Sequence, residues 1–535
     1  MSLRKLDLVA GDRLVAASWV ALLFFFAVSG DVQASTDLSA RVAVETGLLE
    51  GERAGGLVVF RGVPYAAPPI GESRWRPPEP AHGWLGVRAA RKFSPNCRQP
   101  VIVVGFGPYS HEYMDPRVVS EDCLYLNVWA RPRVGAAPAP VLVFIHGGAF
   151  SGGSGAVPIY DGANFARHGV VVVTLNYRLG VYGFLNHPEL RKEDANAAAA
   201  SYGLLDVLTA LRWVNRNIDA FGGDPQRVTL AGQSAGGELV NEVLETPAAR
   251  DLYSAAIVES APPGSVPRNS KGTADRISAR LLELLEVRSI EALRRVSSET
   301  IERAVDQLSQ QTDLIGAGEL LFTPTLTLRE PQSWQSLPVD VPVLAGITRD
   351  EAWRLRSRDA FLVDVRSRYG TLSDRFLALY PAETKMQARI AASDSSRDRL
   401  VSGLIAWNHA RQGRGASPLF AYIFTHVEPG DSALRFGAFH TSEVPYVFGT
   451  LDKAPERMFT AVDRRISRDL VLRWLAFLRR RDPNVRGLVR WPSADLHSFA
   501  LMGIGESEVL QTLPAAERLQ FFMDFFAGGG RPSLF

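Results

Sequence analysis

The pentapeptide Gly232-Gln233-Ser234-Ala235-Gly236 constrains the fold of this chain more than any other segment. It follows the apolar run Val228–Ala231, which is typical of a buried strand, and precedes Gly237–Leu244, which has the pattern of a helix. A serine on a sharp strand-to-helix turn holds its hydroxyl clear of the backbone, and flanking glycines let the strand and the helix approach closely. The pentapeptide alone is a weak signal. Its place between a strand and a helix predicts a nucleophile elbow with Ser234 as the nucleophile.

Apolar β-branched runs alternate with helical patterns around this turn. The runs Val141–Ile145 and Val170–Leu175 are typical of strands that are buried on both faces, as in a parallel sheet. Further strands are predicted at 255–258, 341–346 and 419–424, and a helix at 202–214. This alternation predicts a doubly wound α/β sheet in one large domain. The charged helical segment 273–310 is predicted to form cap or side helices over that sheet.

The N-terminal segment predicts export of the protein. Three basic residues precede the apolar run Leu14–Val28, which is shorter than the roughly 20 residues that a membrane-spanning helix needs. Small residues up to Ala34 suit a cleavage site. We therefore predict a cleaved signal peptide at residues 1–34, a domain at 35–535 and a secreted or periplasmic location. An uncleaved membrane anchor is the alternative.

The net charge and the cysteine content limit which partners and which covalent or metal links the chain is expected to have. The formal net charge of +2 gives no reason to expect a nucleic-acid partner. Cys97 and Cys123, the two cysteines of the chain, lie close in sequence, so an oxidising compartment favours a disulfide between them. Two unpaired buried thiols are the alternative. A zinc site would need more ligands than His111 supplies.

A nucleophilic serine needs a base, an acid that orients the base, and amide donors for the oxyanion that develops in acyl transfer. The segment His146–Phe150 follows directly after a predicted buried strand, the position from which α/β hydrolases supply part of their oxyanion hole. Its two glycines allow backbone N–H groups to point inward. A further donor is the amide of Ala235, the residue after the nucleophile.

Several sequence blocks carry a resemblance to a known family over nearly all of the chain after residue 34. They are Phe60–Ala66, Arg74–Pro78, Glu121–Trp129, Asn176–Gly180, Phe221–Pro225, Trp474, Asp482–Asn484 and Trp491-Pro492. With the elbow, these blocks resemble the type-B carboxylesterase family, which includes bacterial esterases, mammalian carboxylesterases and cholinesterases. The resemblance implies the α/β-hydrolase fold, a large mostly parallel twisted sheet flanked by helices. It also implies hydrolysis of a small-molecule carboxylic ester through a serine acyl-enzyme.

The family's Ser-Glu-His triad carries over to Ser234, Glu351 and His440. Asp350 is an adjacent rival for the acid, and the family pattern favours Glu351. The histidines His409, His426 and His497 also follow the acid and are interpreted as structural or surface residues. The oxyanion donors carry over to Gly148, Ala149 and Ala235.

The resemblance also implies two ion pairs, Arg74 with Glu121 and Arg178 with Asp206, that would hold the loops around the active site. Two further polar residues near the base are ambiguous. Ser260 and Glu443 are either supporting groups or solvated polar residues. No metal or cofactor is implied.

The chain departs from the family pattern at the substrate pocket. Gln233 stands where the family usually has glutamate, and Met114 stands where cholinesterases have a tryptophan that holds a quaternary ammonium. A choline ester is therefore not expected. Aromatic candidates for the pocket, which could equally belong to the core, are Phe150, Phe322, Trp353 and Tyr446.

Two other functions use the same scaffold. A neuroligin-like adhesion protein would be non-catalytic, but such proteins lack the nucleophile that this chain keeps. An amidase or a lactonase would use the same triad, and the sequence does not separate these reactions from ester hydrolysis. Nor does it determine the natural substrate or the oligomeric state.

Overall fold

The strand that leads into the elbow lies in the middle of an eleven-stranded sheet in the computed structural model of the chain. The structure describes residues 40–103, 105–132, 137–193, 201–266, 268–311, 320–324, 340–351, 357–412, 417–430, 433–495 and 498–534. The predicted signal peptide and the candidates Trp353 and His497 lie outside these ranges. The described part of residues 39–535 belongs to one compact unit.

The strands and helices follow the pattern of the sequence. The strands are β1 Arg41–Val44, β2 Gly47–Glu50, β3 Glu52–Ala54, β4 Leu57–Pro64, β5 Val87–Ala89, β6 Asn96–Cys97, β7 Val119–Ser120, β8 Tyr125–Ala130, β9 Ala139–Ile145, β10 Val171–Leu175, β11 Gly223–Gln233, β12 Ala255–Glu259, β13 Val343–Thr348, β14 Leu419–Phe424, β15 Leu501–Ile504 and β16 Glu508–Leu510. The helices are α1 Ala163–Arg167, α2 Gly180–Phe184, α3 Pro188–Glu193, α4 Tyr202–Asn217, α5 Ala235–Glu245, α6 Lys271–Leu284, α7 Ile290–Arg294, α8 Ser298–Ser309, α9 Arg358–Tyr369, α10 Ser373–Leu379, α11 Lys385–Gln412, α12 Ala433–Phe436, α13 Val444–Phe448, α14 Ala461–Arg480 and α15 Ala516–Ala527.

The large sheet has the order β16-β15-β14-β13-β12-β11-β9-β10-β8-β4-β3. The seven strands from β15 to β10 in this order pair in parallel, and antiparallel strands flank them at both ends. The predicted fold class, an α/β-hydrolase sheet flanked by helices, is confirmed.

Burial on both faces explains why the central strands are continuously apolar. In β9, Val141, Val143 and Ile145 belong to one core cluster, whereas Leu142 and Phe144 face another on the opposite side. Successive residues of a strand point to opposite faces, so both faces must be apolar. A third cluster packs α9, α10, α11 and α15 together beside the sheet.

The predicted site residues follow the carboxyl ends of parallel strands. The glycine loop follows β9, Ser234 follows β11, and Glu351 comes three residues after β13. In sheets of this kind the carboxyl ends of the strands form the crevice where ligands bind. No helix in the described ranges is long and apolar enough to cross a membrane.

Candidate active site

Ser234 sits on a strained turn between β11 and α5. Its backbone has φ 56° and ψ −126°, a conformation that non-glycine residues rarely adopt. A Cβ on Gly236 would lie 2.1 Å from the carbonyl oxygen of Ile145, and one on Gly232 would lie 2.4 Å from that of Gly236. Both glycines are therefore required for strand and helix to approach this closely. The turn places Ser234 in the wall of a cavity.

Glu351 is held between the strand and the candidate base. Its Oε1 accepts a hydrogen bond from the backbone N–H of Thr348 at 2.8 Å, and its Oε2 accepts one from Nδ1 of His440. The rival Asp350 is directed elsewhere. Its Oδ2 accepts from the amide of Ala438 at 2.8 Å and from Nε of Arg349 at 2.9 Å. The geometry thus favours Glu351 over Asp350 as the partner of His440.

The protonation of His440 follows from this contact. An ionised carboxylate can only accept, so Nδ1 carries the proton and Nε2 of the neutral ring has a free lone pair. Burial lowers the pKa of His440, but the charge of Glu351 and its hydrogen bond outweigh this effect, and the net shift is upward. His440 is therefore a stronger base than an ordinary histidine, with its basic nitrogen available on the side away from Glu351.

Gln233 contacts that basic nitrogen. The side-chain Nε2 of Gln233 lies 3.3 Å from Nε2 of His440, so the amide donates to the lone pair of the imidazole. Gln233 is 2% exposed and lies in the cavity wall. The sequence predicted Gln233 as a pocket residue and did not indicate its contact with His440.

Ser260 and Glu443 are buried supporting groups, which decides between the two interpretations of the sequence. The Ser260 hydroxyl donates to Oε1 of Glu443 at 3.3 Å, and both residues are at most 1% exposed. Burial raises the pKa of Glu443, with a further contribution from the charge of Glu351. The neighbouring Glu259 accepts from the indole N–H of Trp474 at 3.1 Å, and its backbone carbonyl accepts from the amide of Ser234 at 2.9 Å.

The glycine loop after β9 has the conformation that inward-facing amides need. Gly148, Ala149 and Phe150 all have positive φ, at 118°, 53° and 58°. A Cβ on Gly148 would lie 2.1 Å from the carbonyl oxygen of Gly152. Gly148 and Ala149 line the same cavity as Ser234, and Ala235 begins α5 directly after it. These residues remain the predicted oxyanion donors.

Three further histidines, His146, His409 and His426, do not line the cavity. His426 is buried with its Nε2 2.8 Å from Oδ1 of Asp463, and His409 is exposed on α11. His146, in the glycine loop, stacks on Tyr177 at 4.5 Å between ring centroids, and burial lowers its pKa to about 4.

The cavity has a volume of about 1090 Å³ and contains the three predicted triad residues in its wall. Of the pocket candidates, Gln233 and Met114 line it. The structure places Phe150 and Phe322 in the core instead, the alternative that the sequence had left open. Phe150 is fully buried and packs edge-on against Phe184 at 5.2 Å, and Phe322 is 7% exposed in the core. Tyr446 is also a core residue, bonded through its hydroxyl to Asp463 at 2.7 Å.

Two ion pairs and a disulfide connect segments of the chain. Arg74 forms two hydrogen bonds with Glu121, at 2.6 and 2.5 Å, and Arg178 forms three with Asp206, at 2.7 to 3.0 Å. Both ion pairs implied by the resemblance are therefore present. In the structure Cys97 and Cys123 form a disulfide. The loop that it closes supplies Tyr109, whose hydroxyl donates to the carbonyl of His440 at 3.0 Å.

The sequence did not identify the helices that form one wall of the cavity. The segment 273–310 forms α6, α7 and α8 as expected, but no residue of these helices lines the cavity. The wall comes instead from α9, α11 and the end of α12. No motif marks these helices, because their role depends on which helix face the tertiary structure turns towards Ser234.

Comparisons with known proteins agree with the fold and the site. The model of the carboxylesterase family matches residues 38–522. The chain is 34% identical over 499 residues to a fumonisin B1 esterase from Sphingopyxis macrogoltabida, covering 89% of this chain and 88% of that protein. It is 33% identical over 500 residues to a para-nitrobenzyl esterase from Bacillus subtilis (strain 168), covering 90% and 97%.

Solved structures of esterases are also similar to this chain. A PNB esterase structure matches with a TM-score of 0.76 and 31% identity, covering 90% of this chain and all of that chain. A thermophilic PNB esterase matches with a TM-score of 0.78 and 32% identity at the same coverage. The family match, the relatives and the shared α/β-hydrolase fold agree. This chain therefore belongs to the carboxylesterase family and is a carboxylic ester hydrolase.

Proposed function

We propose that the enzyme hydrolyses carboxylic esters through an acyl-enzyme on Ser234. His440 takes the proton of the Ser234 hydroxyl as it attacks the ester carbonyl and returns it to the leaving alcohol. Glu351 orients the imidazole and stabilises its protonated form. Water then attacks the acyl-enzyme by the same route, releasing the carboxylic acid and freeing the serine.

The amides of Gly148, Ala149 and Ala235 would hold the oxyanion of each tetrahedral intermediate. Loss of one such donor typically lowers kcat by about a hundredfold to a thousandfold. The positive φ values along the glycine loop and the helix start at Ala235 support this assignment.

One observation carries the mechanism. Ser234 stands on a strained elbow in the wall of the same cavity as His440, whose Nδ1 is hydrogen-bonded to Glu351. Burial of the acid and the upward shift of the pKa of His440 suit a general base. The retained Ser234 and the similarity to esterases argue against the adhesion alternative, because adhesion proteins on this scaffold lack the nucleophile.

The protein is further proposed to act after export, as a mature chain from Ser35 in the periplasm or outside the cell. The basic and apolar pattern before Ala34 supports this, and a disulfide between Cys97 and Cys123 suits an oxidising compartment. N-terminal sequencing of the protein recovered from its natural host would test the cleavage site.

The mechanism is tested with 4-nitrophenyl esters of short and medium acyl length. The mature chain is compared with Ser234→Ala, with folding of both checked by circular dichroism. Wild-type turnover with a burst of nitrophenol, absent from the variant, is expected. Activity that survives in a folded Ser234→Ala protein would refute the role of this serine. A matched 4-nitroanilide and a lactone in the same assay separate esterase from amidase and lactonase activity.

A further inference from the structure

The described residues that line the cavity include more arginines than carboxylates. Its wall contains four carboxylates and five arginines in the described residues. Each carboxylate has a cationic or imidazole partner within the structure. These pairs are Asp115 with Arg117, Asp350 with Arg349, Asp364 with Arg368, and Glu351 with His440. Three arginines of the wall, Arg389, Arg399 and Arg435, form no ion pair with a carboxylate of the described residues.

Arg399 is the most informative of the three because it is only 6% exposed. Its Nε and one terminal nitrogen donate to the carbonyl oxygen of Ser533 at 3.0 and 2.7 Å, and the other terminal nitrogen donates to the hydroxyl of Tyr369 at 3.0 Å. All of these acceptors are neutral. A guanidinium has five N–H donors, so two remain for a ligand. A buried cation without an anionic partner is costly, and an anion in the cavity would relieve that cost.

A second guanidinium lies close to Arg399. Burial, together with the nearby charge of Arg399, lowers the pKa of Arg368. Arg368 contacts Asp364 at 3.4 Å, so the net positive charge of this part of the wall comes from Arg399.

Arg389 and Arg399 lie on α11, which contacts the segment of the proposed acid and lines the same cavity as Ser234. Ser393 of α11 donates to Oδ1 of Asp350 at 3.4 Å, directly beside the proposed acid Glu351. With a rise of 1.5 Å per residue, Arg389 lies about 6 Å before Ser393 and Arg399 about 9 Å after it along the helix axis, so the two arginines are about 15 Å apart along that axis. Such distances correspond to several bonds of a substrate chain.

We propose that the cavity contains a carboxylate-binding subsite built on Arg399, with Arg389 and Arg435 adding to the positive charge of the cavity wall. The preferred substrates are then esters that carry a free carboxylate several bonds from the scissile carbonyl, such as half-esters of dicarboxylic acids. This inference rests on the proposed function. A guanidinium is well suited to such a group, because its planar donors match a carboxylate and its charge is permanent.

The test compares esters that differ only in the distal carboxylate. Mono-4-nitrophenyl glutarate and 4-nitrophenyl pentanoate have acyl chains of equal length, and 4-acetoxybenzoate and phenyl acetate make the same comparison on the alcohol side. A higher kcat/KM for the anionic ester in either pair is expected and shows on which side the carboxylate binds. No advantage in either pair would overturn the subsite.

Variants of the arginines show which residue produces the preference for the anionic ester. Arg399→Gln should lower kcat/KM for the favoured anionic ester about tenfold or more, the range expected for a hydrogen bond to a charged group, and change the neutral ester less than about twofold. Arg399→Lys should retain part of the preference. Equal losses on both esters would contradict the proposal. Arg389→Gln changes an exposed residue and provides the same readout if the buried variant fails to fold.

Two controls show whether the preference arises at these arginines. Arg366→Gln removes an exposed arginine of α9 that does not line the cavity, so the preference should stay unchanged. Added salt should weaken the preference through screening. Hydrolysis of 4-nitrophenyl pentanoate, and its loss in Ser234→Ala, tests the proposed mechanism independently of the arginines. Turnover of the neutral ester without an anionic preference would therefore refute the subsite and leave the esterase mechanism intact.

Discussion

Replacing Gln233 with glutamate tests the assignment of His440 as the general base. The exchange keeps the size and shape of the side chain and places a carboxylate near the basic nitrogen, where the amide nitrogen now lies 3.3 Å from Nε2. A negative charge favours the protonated imidazole. The change should therefore raise the pKa of His440, which Glu351 already holds above its ordinary value.

The size of the shift follows from Coulomb's law. Two opposite unit charges 3.3 Å apart attract by about 5 kcal/mol at an effective dielectric constant of about 20, and by about 1.3 kcal/mol in bulk water. One pKa unit corresponds to about 1.4 kcal/mol, so the two limits give a shift of roughly four and one units. The His440 side chain is 16% exposed at the cavity, which favours the lower limit. We expect a shift of at least about one unit.

The assay is the pH dependence of kcat/KM with a neutral 4-nitrophenyl ester. The free base form of His440 is active, so kcat/KM rises as the pH increases through the pKa of His440. In Gln233→Glu this rise should move to higher pH by at least about one unit. The variant then loses activity near neutral pH and approaches wild-type activity under alkaline conditions.

Gln233→Met is the matched control, because it removes the amide without adding charge. Loss of the hydrogen bond to the neutral imidazole should move the rise to higher pH by less than Gln233→Glu does, since no carboxylate is added. A Gln233→Glu profile that coincides with the wild-type profile would refute the reasoning. It would mean either that the new carboxylate is protonated or that His440 is not the group whose titration limits the rate.

Two further predictions concern stability. Arg178→Met should lower the free energy of unfolding by about 3–5 kcal/mol, because it leaves Asp206 charged and fully buried. The double variant Arg178→Met/Asp206→Leu should recover part of that loss. Urea denaturation measures the stability of both variants, and a single variant as stable as wild type would contradict the prediction. Replacing Cys97 and Cys123 with serine should cost about 3–4 kcal/mol, from the chain entropy of a closed loop with a sequence separation of 26. The midpoint of thermal unfolding checks this, and an unchanged midpoint would show that the loop is held by its other contacts.

The sequence was most informative where a local conformation demands particular residue types. Gly232 and Gly236 flank Ser234 because any side chain there would collide with neighbouring backbone, so the elbow is visible as a pattern. The strands are visible for a similar reason. Burial on both faces of β9 requires an unbroken apolar run.

The aromatic pocket candidates show where a pattern is insufficient. Phe150 follows the glycine loop and was a candidate for either the pocket or the core; in the structure its ring packs against Phe184 in the core. Phe322 is likewise buried. The sequence indicates that an aromatic residue is apolar, but it does not indicate which apolar surface the residue covers.

The residue patterns by themselves predicted the parallel sheet and the elbow at Ser234, because short-range sterics and the period of apolar residues are local properties of the chain. The family and its hydrolase fold were predicted from the resemblance of several sequence blocks. Only the tertiary structure decided what surrounds Ser234. The contact between Gln233 and His440 joins residues 207 positions apart. Among the described residues Arg399 forms no ion pair, and this depends on which face α11 turns to the cavity and on which acceptors reach the guanidinium. Such long-range contacts leave no periodic signal in a single sequence, since they arise only when distant elements pack together.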